Sequence, residues 1–126
     1  MRVERLDHLR LTVRDVEVTC TFYTQVLGMC EQRSDSGDRS LRFGNQTINL
    51  CLRSQDTSPH SPQPALGSAE LCFITSEPLA RVACHLRDNG VSVEDGPVEQ
   101  TGARGPILSI YFRDPDENLI ELSNDL

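Results

Sequence analysis

A shift of 62 positions lays one half of this 126-residue chain on the other. Gly28 then falls on Gly90, and His8 falls on Glu70. The match is one of element pattern more than of residue identity. It constrains the fold strongly, because each half must then be the same small unit built twice. In the first half, residues 5–13 alternate: Leu9, Leu11 and Val13 share one face, and His8, Arg10 and Thr12 share the other. Asp15 predicts a helix N-cap, with a helix to about residue 27 whose stripe is Phe22, Tyr23, Val26 and Leu27. Gly28 closes that helix. Strands are predicted over 29–34, 39–44 and 46–53, with turns at Ser36-Gly37-Asp38 and Gly44-Asn45. The unit is βαβββ.

Residues 54–67 hold three prolines and no period, which predicts a linker. The pattern then restarts. Residues 68–75 read as a strand. Ser76 reads as an N-cap, with Leu79, Val82, Ala83 and Leu86 on the helix stripe and Gly90 at its end. A short strand is expected at 91–94, a long glycine-rich loop at 95–106, and a closing hairpin at 107–113 and 118–123. The expected fold class is α+β: two tandem βαβββ modules forming an eight-stranded cup with outer helices. One domain spans 1–126, with module 1 at about 4–53 and module 2 at about 68–124.

The run Asp114-Pro115-Asp116-Glu117-Asn118-Leu119-Ile120-Glu121-Leu122-Ser123 begins as a turn and ends as a strand. Glu121 lies there between apolar neighbours, where an unpaired charge is costly and a partner or a metal is expected. The repeat pairs Ile120-Glu121-Leu122 with Ile48-Asn49-Leu50, once about ten extra residues are allowed in the second half. His8, Asn49, Glu70 and Glu121 thus occupy polar registers of corresponding strands. Their convergence inside a curved sheet would make a divalent-metal site.

The net charge of −7 and the scattered Lys and Arg residues disfavour nucleic acid and anionic membrane surfaces. No apolar run approaches the roughly 18 residues of a membrane span. Met1-Arg2-Val3-Glu4-Arg5 runs straight into a strand pattern, so no signal peptide is read. Cys20, Cys30, Cys51, Cys72 and Cys84 show no C-x-x-C spacing, and are expected as reduced, buried thiols of a cytoplasmic protein.

The chain resembles the vicinal oxygen chelate superfamily of glyoxalases, bleomycin-resistance proteins and extradiol dioxygenases. Three segments carry this: Leu6-Asp7-His8, Phe22-Tyr23-Thr24-Gln25-Val26-Leu27-Gly28-Met29, and Asp114 to Leu122. The stretch from Thr101 to Asp116 resembles a subgroup of small glyoxalase-domain proteins. The resemblance implies metal ligation by His8 and Glu121. Glu70 stands where many members have a second histidine, and Asn49 stands where glyoxalase I enzymes have a fourth ligand. It implies Mn, Ni, Zn or Fe as cofactor, Glu121 as the catalytic base with Glu70 second, a small oxygen-chelating substrate, and a homodimer. Arg10, Asn49, Arg104, Tyr111 and Arg113 are expected to bind substrate, under a lid formed by 96–106. Thr12 replaces the arginine with which glyoxalase I anchors glutathione. A metal-dependent lyase or isomerase is expected first. A binding protein of the bleomycin-resistance kind is the alternative. An extradiol dioxygenase is disfavoured, because its iron needs two histidines and a carboxylate.

Overall fold

The computed structural model describes residues 1–52 and 61–126. The chain divides into two compact units, Met1–Leu66 and Gly67–Leu126. Residues 54–60 of the predicted linker, with His60, lie outside the described residues.

Unit 1 runs β1 (His8–Val13), α1 (Val16–Gln25), β2 (Cys30–Arg33), β3 (Arg39–Phe43) and β4 (Gln46–Leu52). Its sheet order is β1-β4-β3-β2, with β1 and β4 parallel. The predicted caps hold. Asp15 is extended and its carboxylate accepts from the Val18 N–H at 3.1 Å. Gly28 has φ +66°, and the Met29 N–H reaches back to the Tyr23 carbonyl at 3.1 Å. This is the left-handed helix ending that glycine makes cheap. Leu11, Val13, Leu41, Ile48 and Leu50 from the sheet, Cys20 and Tyr23 from α1, and Val26 at its C-cap are buried. Each fully buried side chain of this size contributes about 1.5–3 kcal/mol. Arg39 fastens the helix to the sheet: it bonds Glu17 on α1 and Glu31 on β2.

Unit 2 runs β5 (Glu70–Ile74), α2 (Leu79–Asp88), β6 (Asp95–Gly102), β7 (Gly105–Arg113) and β8 (Leu119–Asp125). The order is β5-β8-β7-β6, again with the first and last strands parallel. Leu79, Val82 and Leu86 of α2 are buried with Ile107, Ile110, Phe112, Ile120 and Leu122.

Three expectations need correction here. The stretch at 91–94 is not a strand, and 95–106 is not a loop. Residues 95–102 form β6, which meets β7 through a tight turn at Ala103-Arg104. Gly96 and Pro97 read as breakers, but β6 is an edge strand, where a missing N–H is tolerated. The register slips between Asp95 and Val98. Gly96 has φ +98° there, and a Cβ on it would meet the Ser109 carbonyl at 2.3 Å. Second, Ser76 does not cap α2, and Ala83 is exposed. The helix starts after Pro78, because the residue before a proline avoids the helical region. Its first N–H, on Leu79, is taken by the Asn124 side chain at 3.2 Å. Third, of the five cysteines, all free, only Cys20 is buried. Cys30, Cys72 and Cys84 are exposed.

Candidate functional site

The turn before β8 fixes the strand that carries Glu121. Asp114 accepts from the backbone N–H groups of Asp116 and Asn118, each at 2.9 Å, and from the Asn118 side chain at 2.8 Å. The Asn118 side-chain oxygen in turn accepts from the Ala69 N–H at 2.9 Å, which sets the start of β5 against the turn. Strand register follows. Cys72 lies opposite Glu121 across β5 and β8, and Tyr111 lies opposite Glu121 across β7 and β8. A thiol, a carboxylate and a phenol therefore stand in one row.

Beneath that row, Ser109 and Ser123 are opposite each other and fully buried. The Ser109 hydroxyl donates to Glu121 Oε2 at 2.6 Å. Its oxygen is 2.7 Å from Ser123 Oγ. A serine has one proton to give, so with Ser109 donating to Glu121, Ser123 donates to Ser109. Cys72 Sγ lies 3.6 Å from Ser123 Oγ, and the same count makes the thiol the donor. The chain of donors runs from sulfur through two hydroxyls to the carboxylate. Burial, then the charge of Glu121, raises the Tyr111 phenol above its ordinary value. Burial likewise raises the Cys72 thiol. Both groups are protonated at neutral pH, and Glu121 Oε1 is the oxygen outside the serine network.

This row opens on a cavity of about 480 Å³. Cys72, Glu121, Tyr111, Gln100 and Arg104 line it, together with the apolar side chains of Ile74 and Ile107. The stretch 96–106, expected as a loop lid, is the β6–β7 hairpin, and Gln100 to Arg104 line the cavity. Arg113, on the same strand as Tyr111, is engaged elsewhere: it bonds the Glu94 carboxylate at 3.1 and 3.2 Å and the Glu117 carbonyl at 3.2 Å. Glu70 is exposed at the head of β5, opposite Leu119 and on the same strand face as Cys72.

In unit 1, Arg10 lies opposite Asn49 across β1 and β4, and Ser40 lies opposite Asn49 across β3 and β4. These three line a second cavity of about 610 Å³ with Ser34, Ser36 and Asp38. His8 is two residues before Arg10 on the same strand face and is exposed. Its Nδ1 bonds the Asp7 carboxylate at 2.9 Å, which holds that carboxyl below its ordinary value. This leaves Nε2 available.

The donor chemistry fits a divalent metal at two positions. A ligating histidine usually has its other ring nitrogen held by a carboxylate, and a ligating carboxylate is itself hydrogen-bonded. His8 with Asp7 and Glu121 with Ser109 meet those conditions. Among the described residues, no group of three or more His, Cys, Asp or Glu side chains is gathered for a metal. Sequence reasoning missed Ser109 and Ser123, and favoured a packing role for Cys72 over a place in the cup's lining. Their one signal was polar residues in the register of Tyr111 and Glu121.

The model of the Glyoxalase/Bleomycin resistance protein/Dioxygenase superfamily matches residues 5–122. The virulence protein STM3117 of Salmonella typhimurium is 47% identical over 98% of this chain and 85% of its own length. Its crystal structure matches with a TM-score of 0.97 over 100% of both chains. The glyoxalase domain-containing protein RDO1 of Mycosarcoma maydis is 46% identical over 98% of this chain and 70% of its own. The fold is shared with more distant structures. Lactoylglutathione lyase of Agrobacterium tumefaciens is 20% identical, with a TM-score of 0.74 over 98% of this chain and 96% of that one. The antibiotic-binding protein TnmS3 of a Streptomyces species is 22% identical, with a TM-score of 0.76 over 100% and 99%.

Proposed function

The chain belongs to the glyoxalase, bleomycin-resistance and dioxygenase superfamily, and on that premise we propose that it is a metal-dependent lyase or isomerase of the glyoxalase type. The observation that carries this reading is the fixed carboxylate of Glu121. One oxygen is held by Ser109 at 2.6 Å, and the side chain faces a cavity sized for a small molecule. The metal would be one of Mn, Ni, Zn or Fe, and His8, Glu70 and Glu121 are the residues that would hold it. When bound, it supplies Lewis-acid stabilisation of an enolate oxygen.

The residues of the chain do the rest. Glu121 takes a proton from the carbon beside a carbonyl. Ser109 and Ser123 hold it in the orientation that does so. Tyr111, protonated, donates to the oxygen on which charge develops. Arg104 at the cavity mouth holds an anionic substituent. Arg10 and Asn49 are further residues proposed for substrate, as is Arg113 on exchanging its bond to Glu94. The working assembly is a homodimer in the cytoplasm. No helix among the described residues is long and apolar enough to cross a membrane.

A second reading is ligand sequestration without chemistry. TnmS3, an antibiotic-binding protein of the same fold, favours it. Metal analysis of untagged wild type beside His8→Ala and Glu121→Gln decides between the two. The enzyme reading expects close to one equivalent of a transition metal in wild type and its loss in both variants. No metal after incubation with Mn(II), Ni(II), Zn(II) and Fe(II) in turn gives the binding reading the lead.

A further inference from the structure

The chain has five asparagines, Asn45, Asn49, Asn89, Asn118 and Asn124, and only Asn89 is followed by glycine. The carbonyl carbon of an asparagine side chain can be attacked by the backbone nitrogen of the next residue, and a glycine there carries no side chain to block the approach. Asn89 is exposed and sits at the C-cap of α2. The fold occupies both reacting groups. The Asn89 side-chain amide donates to the His85 carbonyl at 2.9 Å. The Gly90 N–H donates to the Arg87 carbonyl at 3.0 Å, and the Val91 N–H donates to the Leu86 carbonyl at 2.8 Å. Those last two bonds, with Gly90 at φ +73°, are the paired closure of a left-handed helix end. Attack on Asn89 therefore needs the last turn of α2 to open.

We propose that Asn89 is a spontaneous modification site, converted through a cyclic imide to aspartate and isoaspartate when the last turn of α2 opens, and that the product keeps that turn open. The Gly90 nitrogen, having lost its proton to water, bonds to Asn89 Cγ. The side-chain nitrogen leaves as ammonia, and the imide ring closes. Water then adds to one of the two imide carbonyls. Breaking the ring bond at Cγ gives aspartate. Breaking it at the backbone carbonyl carbon gives isoaspartate, in which the main chain runs through Cγ. One water enters and one ammonia leaves, with nothing oxidised or reduced. Both products lose the donor to the His85 carbonyl. Both place a negative charge beside Asp88 at the end of the helix, where the helix dipole is already negative. In isoaspartate the added backbone carbon also displaces Gly90 and Val91 from the carbonyls they cap. Leu86, whose carbonyl accepts the Val91 N–H, is fully buried, so the opening begins one side chain from the core of unit 2. Neither step involves Glu121 or a metal.

The test holds the whole protein at neutral pH, native and in guanidinium chloride, and follows all five asparagines by peptide mass over time. Fragmentation separates aspartate from isoaspartate. The native protein is expected to convert at Asn89 alone. The unfolded protein is expected to convert there about 10-fold or more faster, because opening the turn breaks the hydrogen bonds of both reacting groups. Asn89→Gln, which keeps the amide but needs a larger ring, is expected to show no conversion at that position. Converted protein is separated by ion exchange on its added negative charge. Its Gly90 and Val91 amides are expected to exchange hydrogen about 10-fold or more faster than in unconverted protein, with β7 and β8 unchanged. Native conversion at Asn45, Asn49, Asn118 or Asn124 at the rate of Asn89 overturns the assignment of the site. So does the absence of conversion in native protein over a period in which unfolded protein converts completely. Equal rates in native and unfolded protein overturn the gating by α2. Unchanged exchange at Gly90 and Val91 in converted protein overturns the lasting opening of the turn.

Discussion

The side-chain oxygen of Asn118 accepts the backbone N–H of Ala69, 49 residues earlier in the chain, at 2.9 Å. The same side chain donates to Asp114 at 2.8 Å, and Asn118 is almost wholly buried. One residue thus holds together the turn before β8 and the start of β5. Asn118→Ala leaves a buried carboxylate and a part-buried N–H each short of a partner. The expected loss is about 2–3 kcal/mol, since orphaned buried polar groups cost about 1–3 kcal/mol each and relaxation recovers part. Urea unfolding of the variant beside wild type measures it.

The remote cap on α2 gives a paired prediction. Asn124→Ala removes the acceptor for the Leu79 N–H and the donors to the carbonyls of Thr75 and Glu77. It is expected to lower stability by about 1–2 kcal/mol, the range of a lost N-cap. Ser76→Ala, which removes the residue that local pattern would choose, is expected to stay within about 0.5 kcal/mol of wild type. Thermal melts of the two variants compare them directly.

Glu17 gives the acid dependence of unit 1. Its bond to Arg39 holds the Glu17 carboxyl below the ordinary glutamate value of 4.5. A depressed folded-state pKa contributes stability above the unfolded value and loses it as pH falls through the folded one. Stability in wild type is therefore expected to decline as pH falls below about 4.5. Glu17→Gln is expected to have a flatter profile in that window. Denaturant midpoints taken from pH 7 down to the acid limit give the two slopes.

Ser109→Ala tests the support under Glu121. If Glu121 ligates a metal, loss of the hydroxyl that orients it is expected to weaken metal binding about 10–100-fold, as removal of an outer-shell partner typically does. Ser109→Thr, which keeps a hydroxyl, is expected to recover part of the affinity. Titration with Mn(II) followed by calorimetry reads both. Equal affinity in all three proteins would mean that the carboxylate is held by other means.

Local chemistry carried most of the legible fold. Asp15, Gly28 and Gly90 act within a turn of the residues they cap, so their roles could be read from neighbours alone. The alternation of Leu9, Leu11 and Val13 against His8, Arg10 and Thr12 likewise survives folding intact. β6 departs from the expected loop because Gly96, Pro97 and Gly102 break an interior strand but are admissible at an edge, and a chain does not announce which strands are edges. Asn124 escaped notice because the helix it caps lies 45 residues away. Of the site, Glu121 was legible as a charge among apolar residues, and Tyr111 as its neighbour in the hairpin. Ser109 and Ser123 look like ordinary strand residues until register places them opposite each other. Cys72 looked like core because cysteine usually is, and its exposure depends on which face of β5 is left uncovered.

The parallel pairing of β5 with β8 has a consequence for synthesis. The ribosome delivers the thiol first, the phenol later, and the carboxylate last, on the strand that must slide between the other two. In a nascent or truncated chain that stops short of Leu119, β5 therefore has no strand to pair with. Cys72 and Tyr111 have no carboxylate between them until the final segment is in place.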